Sequence, residues 1–484
     1  MSKQFLKLML PNPRWIRTCM TLVLSLTLLF RCSEEVDNPA RDQEVDDVST
    51  LSEDDKSVND PPVSQAAASV YIPVELRSND FNNANSTWSW SRSRQSEHFV
   101  VFWGKGYGTN DPNSSAVPSA YRVNINDLLT KAESFFQLNI TQLGFANLAS
   151  SKLNTYKMMI FLYYQTEWMA TGAGYDDTIG ALWISPNTCQ PVGHTLGHEI
   201  GHSFQYQVFA DQGVGGFRYG FGGLGGNGFW EQTAQFQAFQ SYPSAVFTAY
   251  DFTVYKQNYN RHLHHEWYRY ASYFIHYYWE YKRGRNFIGR LWRESRQPED
   301  PLQAYMRLTG INVSQLNAEI YDQAARFVTW DIPALRSLGA NYHGAQTFNY
   351  TRLSDGSVQV AYNRCPGTTG YNVIRLTVPA SGTNVTATFT GMVNAAGYNR
   401  VTNASRAGWR YGYVALLNNG QRVYSPMFSA NTGTANFTVP SGTTKLWFVV
   451  TGAPNTYAPH PWDENESNDD QWPYKVRFTN TGVM

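Results

Sequence analysis

Charge is scarce in this chain of 484 residues: Asp, Glu, Lys and Arg together make up 16%, and the formal net charge is zero. No stretch of clustered Lys and Arg offers a track for phosphates, which excludes nucleic acid as a partner. Cysteine is scarcer still, with four in all. Two of these, Cys19 and Cys32, fall in the first 32 residues, so the rest of the chain has only Cys189 and Cys365. That pair allows at most one disulfide and is not spaced as a metal-binding motif. No apolar run is long enough to cross a bilayer; the one from Met20 to Phe30 stops after eleven residues. Internal repeats are missing as well, which excludes solenoid and propeller arrays. What the chain has in plenty is aromatic residues, 15% of the total, with 31 Tyr and 15 Trp. A composition of this kind suits an exported protein with peptide or carbohydrate surfaces.

The short apolar run follows Lys3, Lys7, Arg14 and Arg17 and has the form of a secretory signal. It ends at Cys32, which resembles the lipid-modified cysteine of bacterial lipoproteins. Leu29 fits that pattern, whereas Phe30 and Arg31 stand where small residues are usual. Residues 1–32 are therefore expected to be a lipoprotein-type signal, giving an exported outer-membrane lipoprotein held to the membrane through Cys32. Between Ser33 and Asp60 eleven acidic residues face only Arg41 and Lys56, with no aromatic residue. Such a stretch cannot bury enough surface to order itself, so residues 33–70 read as an acidic tether. Ser33-Glu34-Glu35 resembles the acidic export signal of surface lipoproteins in some Gram-negative bacteria.

Regular structure is expected from Val70 onward. His98–Gly104, Lys157–Tyr164 and Gly180–Ser185 read as buried strands. Asn124–Leu138 reads as a helix, with Leu128, Leu129, Ala132, Phe135 and Phe136 on one face. Later helices are expected over Phe229–Phe239, within Ser244–Trp292 (including His264–Tyr281) and over Gln315–Trp330. Beyond about Gln346, alternating Val, Thr, Tyr and Phe with recurring turn residues predict an antiparallel β-sandwich. The fold class is thus α+β, with a mixed sheet and helical lobe over residues 71–345 and a sandwich over 346–484.

The chemistry concentrates in His194-Thr195-Leu196-Gly197-His198-Glu199-Ile200-Gly201-His202. On a helix spanning about His194 to Phe209, His198 and His202 project from one face one turn apart and can grip one Zn²⁺. Glu199 then stands beside the ion as the base that activates water. A third ligand is needed, and its type is diagnostic. A His six residues past His202 would mark a metzincin, but that position is Val208. Glu231, in Gly228-Phe229-Trp230-Glu231-Gln232-Thr233-Ala234-Gln235-Phe236, lies 29 residues past His202 near the start of a helix that can pack against the first. Asp211 and Glu266 are its competitors. The carbonyl-polarising donor is expected from a later helix, with Tyr270 and His264 as leading candidates beside His265 and Tyr268. His194 is one turn before His198 and reads as a hydrogen-bonded helix residue. Gly197 and Gly201 read as sites of close helix packing. Nine glycines between Gly213 and Gly228 read as a surface connection or a cleft wall. The acidic turn Asp463–Asp470 reads as a solvated loop.

The block from His98 to about Trp330 resembles the gluzincin class of zinc metallopeptidases. The pairing of His198–Gln205 with Phe229–Gln235 is similar to a zincin-like domain family of exported bacterial proteins without a settled substrate, and that likeness runs over roughly residues 70–480. It implies a zincin-like catalytic domain with His198, His202 and Glu231 as zinc ligands and Glu199 as base. The expected activity is hydrolysis of a peptide or glycoprotein substrate by a monomer. The competing expectation is a catalytically silent scaffold that binds glycan or protein.

Overall fold

The apolar and aromatic runs of the first half are laid side by side as a five-stranded mixed sheet. Its strands are β1 (Ser93–Gln95), β2 (Phe99–Trp103), β3 (Met158–Leu162), β4 (Ala170–Tyr175) and β5 (Ile179–Ile184), in the spatial order β1-β2-β3-β5-β4. β2, β3 and β5 are parallel and buried along their whole length, as strands covered on both faces must be. β1 and β4 are antiparallel edges. The structure, a computed structural model, describes residues 68–212 and 226–484. The expected signal with Cys32, the tether up to residue 67 and most of the glycine-rich segment lie outside the described residues. The described part begins inside the expected tether, because Ser69 already bridges to Tyr156.

β4 was not expected, and glycine is the reason. Ala-Thr-Gly-Ala-Gly-Tyr has little strand propensity. Its glycines serve a close approach instead: a Cβ on Gly172 would stand 2.1 Å from the Glu199 carbonyl oxygen, and one on Gly174 would stand 2.1 Å from the Tyr206 ring. Asp176 and Asp177, both at positive φ (52° and 50°), turn β4 back into β5.

Helices α1 (Ile125–Gln137), α2 (His194–Gln212) and α3 (Gly226–Ser241) build the site. α1 opens on Asn124, whose side chain accepts the Asp127 N–H, and its expected apolar face is buried. α2 is buried almost throughout, between the sheet, α1 and α3. The close-packing expectation for its glycines holds. A Cβ on Gly197 would stand 2.6 Å from the Phe135 ring on α1, and one on Gly201 would stand 2.8 Å from Gln237 Oε1 and 3.2 Å from Ala234 Cα on α3.

The helical lobe continues with α4 (Tyr250–Asn258), α5 (Phe274–Arg283), α6 (Phe287–Arg293), α7 (Pro301–Thr309) and α8 (Val313–Phe327). The helix expected from His264 begins only at Phe274; residues 264–273 form turns, one of them capped by His265, whose Nδ1 accepts the Trp267 N–H. α7, whose start is a reciprocal cap between Asp300 and Gln303, was not expected. No helix among the described residues is long and apolar enough to cross a membrane.

The C-terminal part is the expected pair of antiparallel sheets. One holds β11 (Arg422–Tyr424), β10 (Trp409–Leu417), β13 (Thr443–Gly452) and β8 (Tyr371–Leu376); the other holds β12 (Thr432–Thr438), β9 (Asn384–Gly391), β14 (Tyr474–Thr479), β7 (Val358–Val360) and β6 (Tyr350–Arg352). Trp409, Phe389, Phe448, Trp472 and Tyr474 fill the space between them. The sandwich does not hang free of the helical lobe: residues 68–484 form one compact unit. Gly370 lies so close to Asn260 that a Cβ would stand 1.9 Å from its carbonyl oxygen. The Gly367 N–H donates to that same oxygen at 2.8 Å, Thr369 Oγ1 accepts the Leu263 N–H at 3.0 Å, and the Tyr255 and Tyr371 hydroxyls bond to each other. Cys189 and Cys365 are both buried free thiols.

Candidate metal centre

α2 presents His198 and His202 one turn apart, and α3 crosses it at Gly201, which sets Glu231 opposite both rings. His198 Nε2 is 3.0 Å from His202 Nε2, and the two nitrogens lie 3.2 and 3.1 Å from Glu231 Oε2. Three donors on one face of a divalent ion, at bond lengths near 2.0–2.1 Å, are separated by about 2.8–3.0 Å in an octahedron and about 3.3–3.4 Å in a tetrahedron. The triangle has the size of one ion's coordination face.

The hydrogen bonds behind the rings decide what the triangle can hold. Gln235 donates its amide N–H to Asp251 at 3.0 Å, so its Oε1 faces His198 Nδ1 at 3.2 Å. Gln205 donates to the Trp230 carbonyl at 3.0 Å, so its Oε1 faces His202 Nδ1 at 2.9 Å. An amide oxygen only accepts, so each Nδ1 carries the proton and each Nε2 turns a lone pair inward. Two lone pairs and a carboxylate oxygen at about 3 Å are satisfied only by a cation. Without a metal the cation is a proton: burial works against it, but the Glu231 charge prevails and holds the His202 imidazole up at about 9. Burial likewise opposes ionisation of Glu231, and the two imidazoles override it and hold the carboxyl far below the usual range. A divalent metal must displace the His202 proton. Its affinity is therefore expected to rise up to about tenfold per pH unit between pH 6 and 8 and to level off above about 9. Calorimetry in buffers of different ionisation enthalpy, counting protons released, checks this; a pH-independent affinity contradicts it.

Glu199 is buried beside the pair, and its charge is one of the influences that raise His202. Among the described residues its carboxylate makes no hydrogen bond or ion pair, so it is uncommitted. Tyr270 stands on the turn before α5 rather than on a helix. Its hydroxyl donates to Glu231 Oε1 at 3.1 Å and its ring centre is 6.0 Å from that of His198. Burial, then the Glu231 charge, pushes its pKa up, so it remains a donor at neutral pH.

The other candidates lie elsewhere. His264 is a correction: it is fully buried against Phe229, its Nδ1 is 4.0 Å from Asp300 and neither ring nitrogen has a hydrogen-bond partner. The residues around it form turns, not the expected helix, and carry the ring into the lobe's interior. Asp211 accepts from Lys152 N–H and the Gln207 amide. His194 packs on Phe239, and burial pushes it down to about 4; its Nε2 is unpartnered rather than hydrogen-bonded as expected. Sequence reasoning missed Gln205, Gln235 and Asp251. The first two stand three residues after His202 and four after Glu231, spacings that put each on its ligand's own helix face.

A second group, His265, His460 and Asp469, brings three donor atoms together where the sandwich meets the lobe. A guanidinium already sits there: Arg261 Nη1 is 3.0 Å from His265 Nε2, and Arg261 also pairs with Glu466 at 2.7 Å. Glu266 accepts from His460 Nε2 at 2.9 Å and from the Asp463 and Glu464 N–H groups. Although burial works the other way, those bonds hold its carboxyl down at about 2. The acidic turn is the expected solvated loop, with residues 463–465, 467 and 468 exposed, and through these contacts it also fastens the sandwich to the lobe. It also carries Trp462 to within 5.5 Å of Arg269, next to Tyr270.

The family described as "Family of unknown function (DUF6055)" matches residues 62–484. The chain belongs to this family. No curated protein matches it. Among solved structures, the crystal structure of Yersinia pseudotuberculosis-derived mitogen (YPM) is similar over 27% of this chain and 86% of its own, at 8% identity and a TM-score of 0.16. A likeness that slight bears on neither fold nor function.

Proposed function

We propose that this protein is a zinc-dependent metallopeptidase of gluzincin type. The observation that carries the reading is the pair of inward Nε2 lone pairs, held by two glutamines, converging with Glu231 beside an uncommitted Glu199. Zinc supplies Lewis acidity toward a carbonyl and draws the pKa of water down toward about 7. The chain's own groups do the rest. Glu199 takes the proton from the attacking water and returns it to the leaving nitrogen. Tyr270 steadies Glu231 and brings an O–H to the rim, where negative charge develops on the carbonyl oxygen. The open end of β4, Ala170–Gly172, has backbone groups to pair with an extended peptide. Export and lipid anchoring at Cys32 belong to the same proposal and rest on the sequence.

The test is metal analysis together with a peptide-library digest, comparing the parent with Glu199→Gln. The parent is expected to hold one zinc and to cleave, and the variant to keep the zinc and lose about 10²–10⁴-fold in kcat. Zinc without cleavage in the parent would favour the silent scaffold that binds glycan or protein, and iron in its place would move the centre to oxygen chemistry.

A further inference from the structure

The rim of the metal centre carries a cation that the hydrolytic scheme leaves unused. Arg269 is half-buried, with its guanidinium carbon 5.3 Å from the centre of the Tyr270 ring and 5.5 Å from that of Trp462. One rim wall therefore comes from the helical lobe and the other from the sandwich. Arg269 donates from Nη1 to the Glu266 carbonyl at 3.2 Å and also hydrogen-bonds the Tyr270 hydroxyl, and among the described residues no carboxylate pairs with it. Its neighbour Arg261 is, by contrast, paired with Glu466. A guanidinium held by two rings is oriented in advance and keeps N–H groups for a planar anion. The Arg269 charge is felt at Tyr270, whose hydroxyl rests on Glu231, so it acts at the edge of the reacting centre.

We infer that Arg269 is a specificity-determining residue, binding a substrate carboxylate next to the bond that is cut. This rests on the hydrolytic reading of the metal centre. The carboxylate is either an acidic side chain or the free C-terminus of the peptide, and a guanidinium fork binds both in the same bidentate manner.

The test uses the zinc-loaded full chain and three succinyl hydroxamates ending in Leu-Asp-amide, Leu-Asn-amide and Leu-Asn with a free carboxylate, with affinities from calorimetry. At least one carboxylate ligand is expected to bind about tenfold or more tighter than Leu-Asn-amide, and the tighter of the two identifies the source. Arg269→Gln is expected to erase the preference while zinc content and Leu-Asn-amide affinity hold, and Arg269→Lys to keep part of it. Equal affinities for all three in the parent, or a preference that survives in Arg269→Gln, overturn the inference alone. If zinc loads but none of the hydroxamates binds, the ion has no open position, and the hydrolytic reading falls with it.

Discussion

Glu231→Ala is expected to come through purification without the stoichiometric metal that the proposed function predicts for the parent, while remaining folded. Two neutral imidazoles without a carboxylate keep neither the charge nor the third donor. The loss of affinity should exceed the roughly 10–100-fold that follows from removing a residue that only supports a ligand. The fold should survive because the His202 proton loses its chief support: with Glu231 gone, burial favours the neutral imidazole, and only the lesser influences of Glu199 and Gln205 oppose it. Tyr270 loses an acceptor, but it is exposed enough for water to replace it. Thermal melting makes the contrast measurable. Free zinc at a thousand times Kd stabilises the parent by about 4 kcal/mol, and the variant should gain nothing. A variant that kept zinc at the parent stoichiometry would remove Glu231 from the ligand set.

Ending the chain at residue 345 is expected to abolish folding of everything before it. The sandwich reads in sequence as an appended domain, yet it covers Tyr255, Tyr259 and Tyr321 of the lobe, all of them buried. Tyr255 and Tyr259 pack on Tyr371, and the Tyr321 hydroxyl lies against Gly412. Each large apolar side chain uncovered forfeits about 1.5–3 kcal/mol, so three together approach the roughly 5–15 kcal/mol by which a folded chain is stable. The uncovered lobe would also present an apolar face to solvent. The measurement is solubility and cooperative melting of the 1–345 fragment; a soluble fragment that melts cooperatively and binds zinc would show that the lobe stands alone.

The convergence of His198, His202 and Glu231 was legible because their relation is local or nearly so. An i, i+4 pair on a helix shares a face whatever surrounds it, and Glu231 needed only a second helix packed on the first. The residues behind them were not legible. Gln205 and Gln235 matter through which end of each amide faces the ring, and the Trp230 carbonyl and the Asp251 carboxylate settle that only after α2, α3 and α4 have packed. β4 was hidden because its glycines answer to the backbone of α2 and not to strand propensity. His264 was misjudged because aromatic richness over 264–281 imitates a buried helix, whereas its first ten residues are turns. Trp462 and Arg269, far apart in the chain, meet only because Glu266 is tied to His460 and the residues after it.

Gly172 has no side chain to keep β4 away from the turn of α2 that bears Glu199 and His202. Strand rim and helix are thus braced as one plate, with no slack between them. An extended chain docked on that rim and an ion seated between the imidazoles become thermodynamically reciprocal: whatever factor the ion adds to the affinity of the one, the docked chain must return to the affinity of the other.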